Sequence, residues 1–380
     1  MGTRKTPVTL RKENMNFSLS LTASGSGSGS TTISSDGSPP LDRPPVLVLL
    51  SLSDAWSSAL SAKFTIIPPS SPLSTSTRAV LISGSVNRVD STLLDQYPSL
   101  RCVVTTSAGV NTINLEECRR RGVLVANVGE TYSNDVADYA VGLLIDAFRR
   151  LTMSDRYLRN GLWVSRGDYP LGSKLGGKRV GIVGLGSIGS AIAKRLEAFG
   201  CKISYFSRKP KPTANYKYVP NIIDLATKSD VLVVSCSLTK ETHHIINKQV
   251  LQALGKEGII INIGRGAHID EPELVRSLVQ GEIKGVGLDV FENEPNVPKE
   301  MFEMENVVLT PHQAVFTPEA LSDVIQICIA NFEAFFAENR PGTTGTTTGT
   351  DYCISRRTQE GDQGRCAESY QTLKPADDLV

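Results

Sequence analysis

Long apolar runs are missing from this chain. The longest, VLVLLSLS from Val46, has the length of a strand and falls well short of the ~20 residues that a membrane-spanning helix needs. Cysteine is sparse. The seven residues, Cys102, Cys118, Cys201, Cys236, Cys328, Cys353 and Cys366, are scattered and odd in number, and they form no CxxC pair. That pattern excludes a disulfide framework, offers no metal-site spacing and suits a reducing, cytoplasmic setting. Histidine is rarer, at four residues. Charge of one sign is also lacking: 40 basic residues face 39 acidic ones, for a net +1. No broad basic surface for nucleic acid or anionic membrane is expected.

What is present is a long middle section of alternating patterns. The 380 residues suffice for two domains with full cores. Residues 1–42 are rich in Ser, Thr and Gly, so a disordered leader is expected over 1–44. Its first twelve residues carry Arg4, Lys5, Arg11 and Lys12 and no acid, a weak organelle-targeting signal. From Val46 the short runs VLVLLS, AVLISG, LRCVVTTS and VLVAN read as strands, with helical segments STLLDQY and NLEECRRRG between them. Apolar residues then recur at three- and four-residue steps from Ser133 to about Asn160, predicting one long helix stopped by Gly161.

A second series follows: KRVGIVGL, KISYFS, SDVLVVSC, EGIIINIG, KGVGLDV and ENVVLTPH. Six mostly continuous apolar runs suit a doubly wound parallel sheet buried on both faces. The segment TPEALSDVIQICIANFEAFFAE reads as a closing helix capped by Thr317, with Pro318 in its first turn. At Pro341 the composition turns polar and aperiodic, so 341–380 is expected to be a disordered tail. Its abrupt onset suggests a shifted reading frame.

The stretch VGIVGLGSIGSAIAKRL is a strand, a glycine turn and a helix. Gly184 allows the tight turn, Gly186 lets a pyrophosphate approach the backbone, and Gly189 lets helix and strand pack. Leu185, Ser187 and Ile188 complete a dinucleotide-binding turn whose helix N-terminus offers free N–H groups. About twenty residues on, where an acidic residue would accept from a ribose 2′-hydroxyl, stand Ser207, Arg208 and Lys209. A guanidinium there suits a 2′-phosphate, which predicts NADPH (NADP) as preferred cofactor with NADH as the second choice. Downstream, Arg265 in INIGRG, Asp289 and Glu294 in GLDVFENEP, and His312 in VVLTPH all fall at or past strand ends, where ligand crevices of open α/β sheets lie.

Taken in order and spacing, GIVGLGSIGSAIAKRL, INIGRG, GLDVFENEP and LTPH resemble the D-isomer-specific 2-hydroxyacid dehydrogenases, over about Val46 to Glu338. Within that family, SLTKETHHIIN, FSRKPK and PHQAVFTPE are similar to the plant glyoxylate/hydroxypyruvate reductases. The resemblance implies an α/β fold of two Rossmann-like doubly wound domains. A dinucleotide-binding domain at 143–311 would be inserted into a substrate domain at 45–142 and 312–340. It also implies that Arg265 binds the substrate carboxylate and polarises the 2-oxo group. His312 would be the proton donor, oriented by Glu294. The backbone at Ala108 and Gly109 would receive the carboxylate. Cys236, Thr242 and Ile263 would line the cofactor, with Asp289 near the nicotinamide amide unless it serves only as a turn cap.

The implied partners are a small 2-oxo acid and a second copy of the chain, with no metal, nucleic acid or membrane. Two departures from the family pattern are Asn111, where an acid is usual, and Gln313 after the histidine. The competing readings are a dinucleotide-sensing corepressor-like protein and a reductase of bulkier 2-oxo acids such as hydroxyphenylpyruvate.

Overall fold

The computed structural model describes residues 43–84 and 86–338. The expected disordered leader and tail therefore lie outside the described residues, apart from Arg43 and Pro44. Those two are tied to the fold: Pro44 accepts the Thr65 N–H at 3.0 Å and Arg43 donates to the Ser61 carbonyl.

Two parallel sheets organise the chain. The first contains β1 (Pro45–Val48), β2 (Thr65–Ile67), β3 (Ala79–Ile82), β4 (Cys102–Thr105) and β5 (Leu124–Ala126), in the order β2-β1-β3-β4-β5. Helices α1 (Asp54–Ser61), α2 (Ser91–Gln96) and α3 (Leu115–Arg120) connect its strands. Strand β2 escaped the sequence reading because it is three residues long and runs straight into Pro68 and Pro69.

Three helices lead to the second sheet: α4 (Ser133–Arg149), α5 (Leu151–Arg159) and α6 (Leu162–Arg166). The single long helix expected here is broken at Arg150, which adopts φ 57° and ψ 43°. Asp146 makes the break. Its carboxylate accepts from the Thr152 N–H at 2.9 Å and from the Thr152 hydroxyl, so it caps the start of α5. Helical periodicity passes unbroken through one left-handed residue, which hid the break. Gly161, at φ 69°, ends α5 as expected.

The second sheet has the order β12-β11-β10-β9-β6-β7-β8. Its strands are β6 (Arg179–Val183), β7 (Lys202–Phe206), β8 (Lys217–Tyr218), β9 (Val231–Val234), β10 (Ile259–Asn262), β11 (Gly285–Leu288) and β12 (Val307–Leu309). Helices α7 (Ser187–Ala198), α8 (Ile222–Thr227), α9 (Lys248–Leu254) and α10 (Glu271–Val279) join them. The two-residue β8 is a seventh strand, too short to leave a pattern. Strands β9, β10 and β11 are buried along their whole length, as expected for a sheet covered on both faces. Asn221, Asn247 and Asp270 cap α8, α9 and α10 through their side chains.

Helix α4 packs on this second sheet. Val136, Ala137, Ala140 and Leu144 share a core with Val180, Ile182 and Val233. The chain then returns: α11 (Pro318–Glu338) lies on the first sheet, burying Val324, Cys328 and Phe332 against Val46, Leu81 and Val104. Thr317 caps it, accepting the Ala320 N–H at 3.0 Å. Over Pro318–Ala337 this helix is long and apolar enough, at mean hydropathy 1.4, to match a membrane span by length and composition alone. Its apolar face is the lid of the first core, where each fully buried large side chain contributes ~1.5–3 kcal/mol.

Candidate active site

The sheet order reverses between β6 and β9, and the loops after these strands flank the crevice that results. The three glycines of the turn after β6 have three different reasons to be glycine. At Gly184, φ is +100° and a Cβ would lie 2.5 Å from the Cys236 Cα. At Gly189 a Cβ would meet the Gly184 carbonyl at 2.1 Å. At Gly186 a Cβ would meet nothing within 4 Å, and no side chain caps the N-terminus of α7 there. Open space over uncapped N–H groups fits a pyrophosphate. Leu185 is buried beneath the turn. The Ser187 hydroxyl donates to Glu130 at 2.5 Å.

The remaining residues expected around a cofactor lie in the segments that follow β7, β9, β10 and β11. Cys236 sits against Gly184, and burial pushes its thiol up to about 12. Thr242 holds its own loop: it accepts the Thr239 N–H at 2.7 Å and donates to the Ser237 carbonyl at 2.7 Å. Ile263 is buried just past β10. Past β7, Ser207 donates to the Lys209 carbonyl at 2.6 Å, which shapes the exposed turn carrying Arg208 and Lys209. Arg208 is close enough to Glu241 for its charge to help hold that carboxyl below the usual range, behind the larger effect of a hydrogen bond from Thr239.

Arg265, Glu294 and His312 follow β10, β11 and β12, three adjacent strands, and the fold brings them together. His312 Nδ1 is 2.8 Å from Glu294 Oε2, and Glu294 Oε1 accepts the Phe291 N–H at 3.0 Å. Burial raises the Glu294 pKa, but the bonds from His312 and Phe291 and the charges of His312 and Arg265 outweigh it, leaving the carboxyl below its usual value. Nδ1 is thereby committed to Glu294, and Nε2 is the ring nitrogen left for a ligand.

Arg265 is the cation of the cluster. Its Nε donates to Asn111 Oδ1 at 3.2 Å and its Nη1 to the Gly264 carbonyl at 2.6 Å. Among the described residues no carboxylate forms an ion pair with it and no acceptor meets Nη2. Burial lowers its pKa, and the Glu294 charge partly offsets this. A half-buried guanidinium with no carboxylate paired to it has a charged fork available to an anion. Gly109 borders it: a Cβ there would lie 2.5 Å from Nη2. Gly109 is absent from the positive-φ glycines of the described residues, so space requires the glycine, and turn geometry does not. The Ala108 carbonyl accepts from Asn127 at 2.7 Å, which anchors the loop.

Comparison with known proteins identifies the family. Residues 141–314 match the model of the D-isomer specific 2-hydroxyacid dehydrogenase NAD binding domain. Over 266 residues the chain is 57% identical to the glyoxylate/hydroxypyruvate reductase HPR3 of Arabidopsis thaliana, covering 70% of this chain and 82% of that protein. The chain belongs to the D-isomer-specific 2-hydroxyacid dehydrogenase family. It is also 49% identical over 262 residues to the hydroxyphenylpyruvate reductase of Plectranthus scutellarioides, covering 69% and 83% of the two chains. Among solved structures, an NADPH-dependent glyoxylate/hydroxypyruvate reductase from Sinorhizobium meliloti, in complex with NADP and malonate, aligns with a TM-score of 0.74 at 35% identity. That alignment covers 78% of this chain and 94% of that one.

Of the residues that hold the His312 segment, Asp289 and Gln313 were named from the sequence and Tyr139 was not. Asp289 is buried, and its carboxylate accepts from the Thr310 hydroxyl at 2.7 Å and from the Gln313 and Ala314 N–H groups at 2.9 and 3.0 Å. The turn-cap reading of Asp289 is thus visible in the fold. Its effect is specific: His312 has φ 51°, a left-handed backbone that costs a non-glycine residue about 1–3 kcal/mol. Asp289 offsets that cost by clamping the segment on both sides, and its carbonyl takes the His312 N–H at 2.7 Å. Tyr139 on α4 accepts from the Gln313 amide at 2.8 Å, so the residue after the histidine is anchored away from it.

Proposed function

We propose that this dehydrogenase works as a reductase of small 2-oxo acids, hydroxypyruvate and glyoxylate first. NADPH is the preferred cofactor and NADH the second. The observation that carries this is the half-buried Arg265 guanidinium, lacking a carboxylate partner among the described residues, beside a His312–Glu294 pair. A planar, permanently charged fork suits an α-oxo carboxylate, whose carboxylate and oxo oxygens lie side by side.

The nicotinamide, when bound, supplies the hydride. Arg265 holds the substrate through Nη2 and draws electron density toward the oxo oxygen. His312 Nε2 gives that oxygen its proton, and the ring then holds a proton only on Nδ1, still on Glu294. One NADPH and one proton are consumed per hydroxy acid formed. Glu294 keeps the ring oriented and stabilises its charged form, and proton transfer of this kind is worth about 10²–10⁴ in rate. The exposed Arg208 past β7 supports the NADPH preference. Exposed Leu158, Trp163, Val164 and Leu171 on α5, α6 and the segment beyond support a homodimer. Trp163→Glu should then shift sedimentation to the monomer.

The test is steady-state kinetics with hydroxypyruvate, glyoxylate and hydroxyphenylpyruvate, each with NADPH and NADH. Turnover of the two small acids, abolished in His312→Ala, is expected. An inactive wild type, or a His312→Ala enzyme within threefold of it, would overturn the reading.

A further inference from the structure

Arg265 is held by more than its guanidinium contacts. Its N–H donates to His268 Nδ1 at 3.0 Å, and its carbonyl accepts from Asn262 Nδ2 at 2.9 Å. Asn262 Oδ1 takes the Gly264 N–H at 3.0 Å. Both side chains are fully buried. The backbone of the substrate-binding residue is therefore clamped on either side. The clamp is tight, because a Cβ at Gly264 would fall 2.9 Å from the His268 ring.

The imidazole can accept at Nδ1 only as the neutral tautomer protonated at Nε2. The buried site favours that state. Burial lowers the His268 pKa, and the Arg265 charge adds to the effect, while backbone groups of Ser237 and Arg265 work against it. Nε2 is buried facing the Ser237 backbone, without reaching full hydrogen-bond geometry. His268 thus stands between Arg265 and the loop after β9 that carries Cys236 and Ser237. The backbone around it is tied to the same loop: the His244 N–H donates to the Ala267 carbonyl at 2.9 Å, and the Ile246 N–H to the His268 carbonyl at 2.9 Å.

We propose that His268 is a positioning residue for substrate binding, setting the Arg265 guanidinium by accepting its backbone N–H at Nδ1. The proposal rests on the reading of Arg265 as the carboxylate site. His268→Phe keeps most of the volume and removes the acceptor. His268→Asn places an amide oxygen near Nδ1 and restores it.

The expected result is a split. In His268→Phe the KM for hydroxypyruvate rises at least tenfold, while the NADPH Kd, read by cofactor fluorescence, stays within twofold. His268→Asn recovers most of the loss. A purely structural role would weaken cofactor binding and substrate binding together. Oxalate binding to the NADP-loaded enzyme, measured by calorimetry, separates this proposal from the reading beneath it. If wild type binds no oxalate and turns over no 2-oxo acid, the Arg265 assignment fails. If wild type binds oxalate and a folded His268→Phe binds it equally, the role of His268 is overturned. Should His268→Phe not fold, His268→Gln carries the same test, since its amide oxygen lies beyond the Nδ1 position. A wild-type oxalate affinity in His268→Gln would refute the proposal.

Discussion

Replacing Gly109 with alanine should disable substrate binding without disturbing the fold. The added Cβ would sit 2.5 Å from Arg265 Nη2, whereas ordinary contact begins at 3.4 Å, so the guanidinium must retreat by about 0.9 Å. The backbone itself tolerates alanine, because Gly109 has no positive φ. The far end of an arginine yields cheaply, so stability should change little. The chemistry should not yield cheaply. A misplacement of about 1 Å in a binding group costs about 10²-fold, which corresponds to ~2.7 kcal/mol of transition-state stabilisation. Steady-state kinetics with hydroxypyruvate should show kcat/KM falling by about that factor, with the NADPH KM and the melting temperature near wild type. A Gly109→Ala enzyme within threefold of wild-type kcat/KM would refute the placement of Arg265. Gly186→Ala is the matched control. Its Cβ meets nothing, so folding should again be intact, but the defect should move to the NADPH KM.

Arg208→Ala should lower the NADPH-to-NADH ratio of kcat/KM about tenfold to hundredfold, the worth of one charged hydrogen bond; an unchanged ratio would remove Arg208 from cofactor choice. Glu294→Gln should cut kcat about 10²-fold or more through lost orientation of His312. The same substitution has a pH signature: a depressed carboxyl pKa adds stability above the usual value of 4.5 that is lost as pH falls through the lower folded value, so the wild-type advantage in denaturant midpoint should shrink in that acid window. An advantage constant from pH 7 to pH 2 would contradict the pairing. Asp146→Ala should lose the cap of α5, worth ~1 kcal/mol, and lower Tm by about 2–4 °C in calorimetry.

The parts of this enzyme that were legible in its sequence share one property: each is written locally. The strands of both sheets were read from continuous Val/Ile/Leu runs, and β2 and β8 were lost because three residues or two carry no period. INIGRG, FENEP and LTPH each pair a strand end with an ionisable side chain within a few positions, and GLGSIG pairs a strand end with a helix N-terminus. A pattern reader finds them because the sheet itself delivers its carboxyl ends to one crevice. The break at Arg150 was illegible because one left-handed residue displaces a helix axis without altering the apolar spacing on either side.

The supports of the site are written non-locally, and that is why they stayed hidden. Asn111 meets Arg265 across 154 residues, Tyr139 meets Gln313 across 174, and Glu130 meets Ser187 across 57. No short window of sequence contains any of these three pairs. Asp289 and His268 are different: both are close in sequence or sheet register to what they hold, and both are chemically conspicuous. Asp289 was read as a cofactor contact or a turn cap and His268 was given no role, because a buried polar residue looks inert until its partners are known. Here His268 accepts the backbone N–H of Arg265, and the Asp289 carboxylate accepts those of Gln313 and Ala314, next to His312. A buried Asp whose carbonyl takes the N–H of a histidine at φ 51°, and a buried His that holds an arginine backbone, fix the main chain from which Arg265 and His312 project. The catalytic side chains define which reaction is accessible. These buried acceptors define how well it runs, so substitutions at them should move rate and KM with little change in cofactor choice.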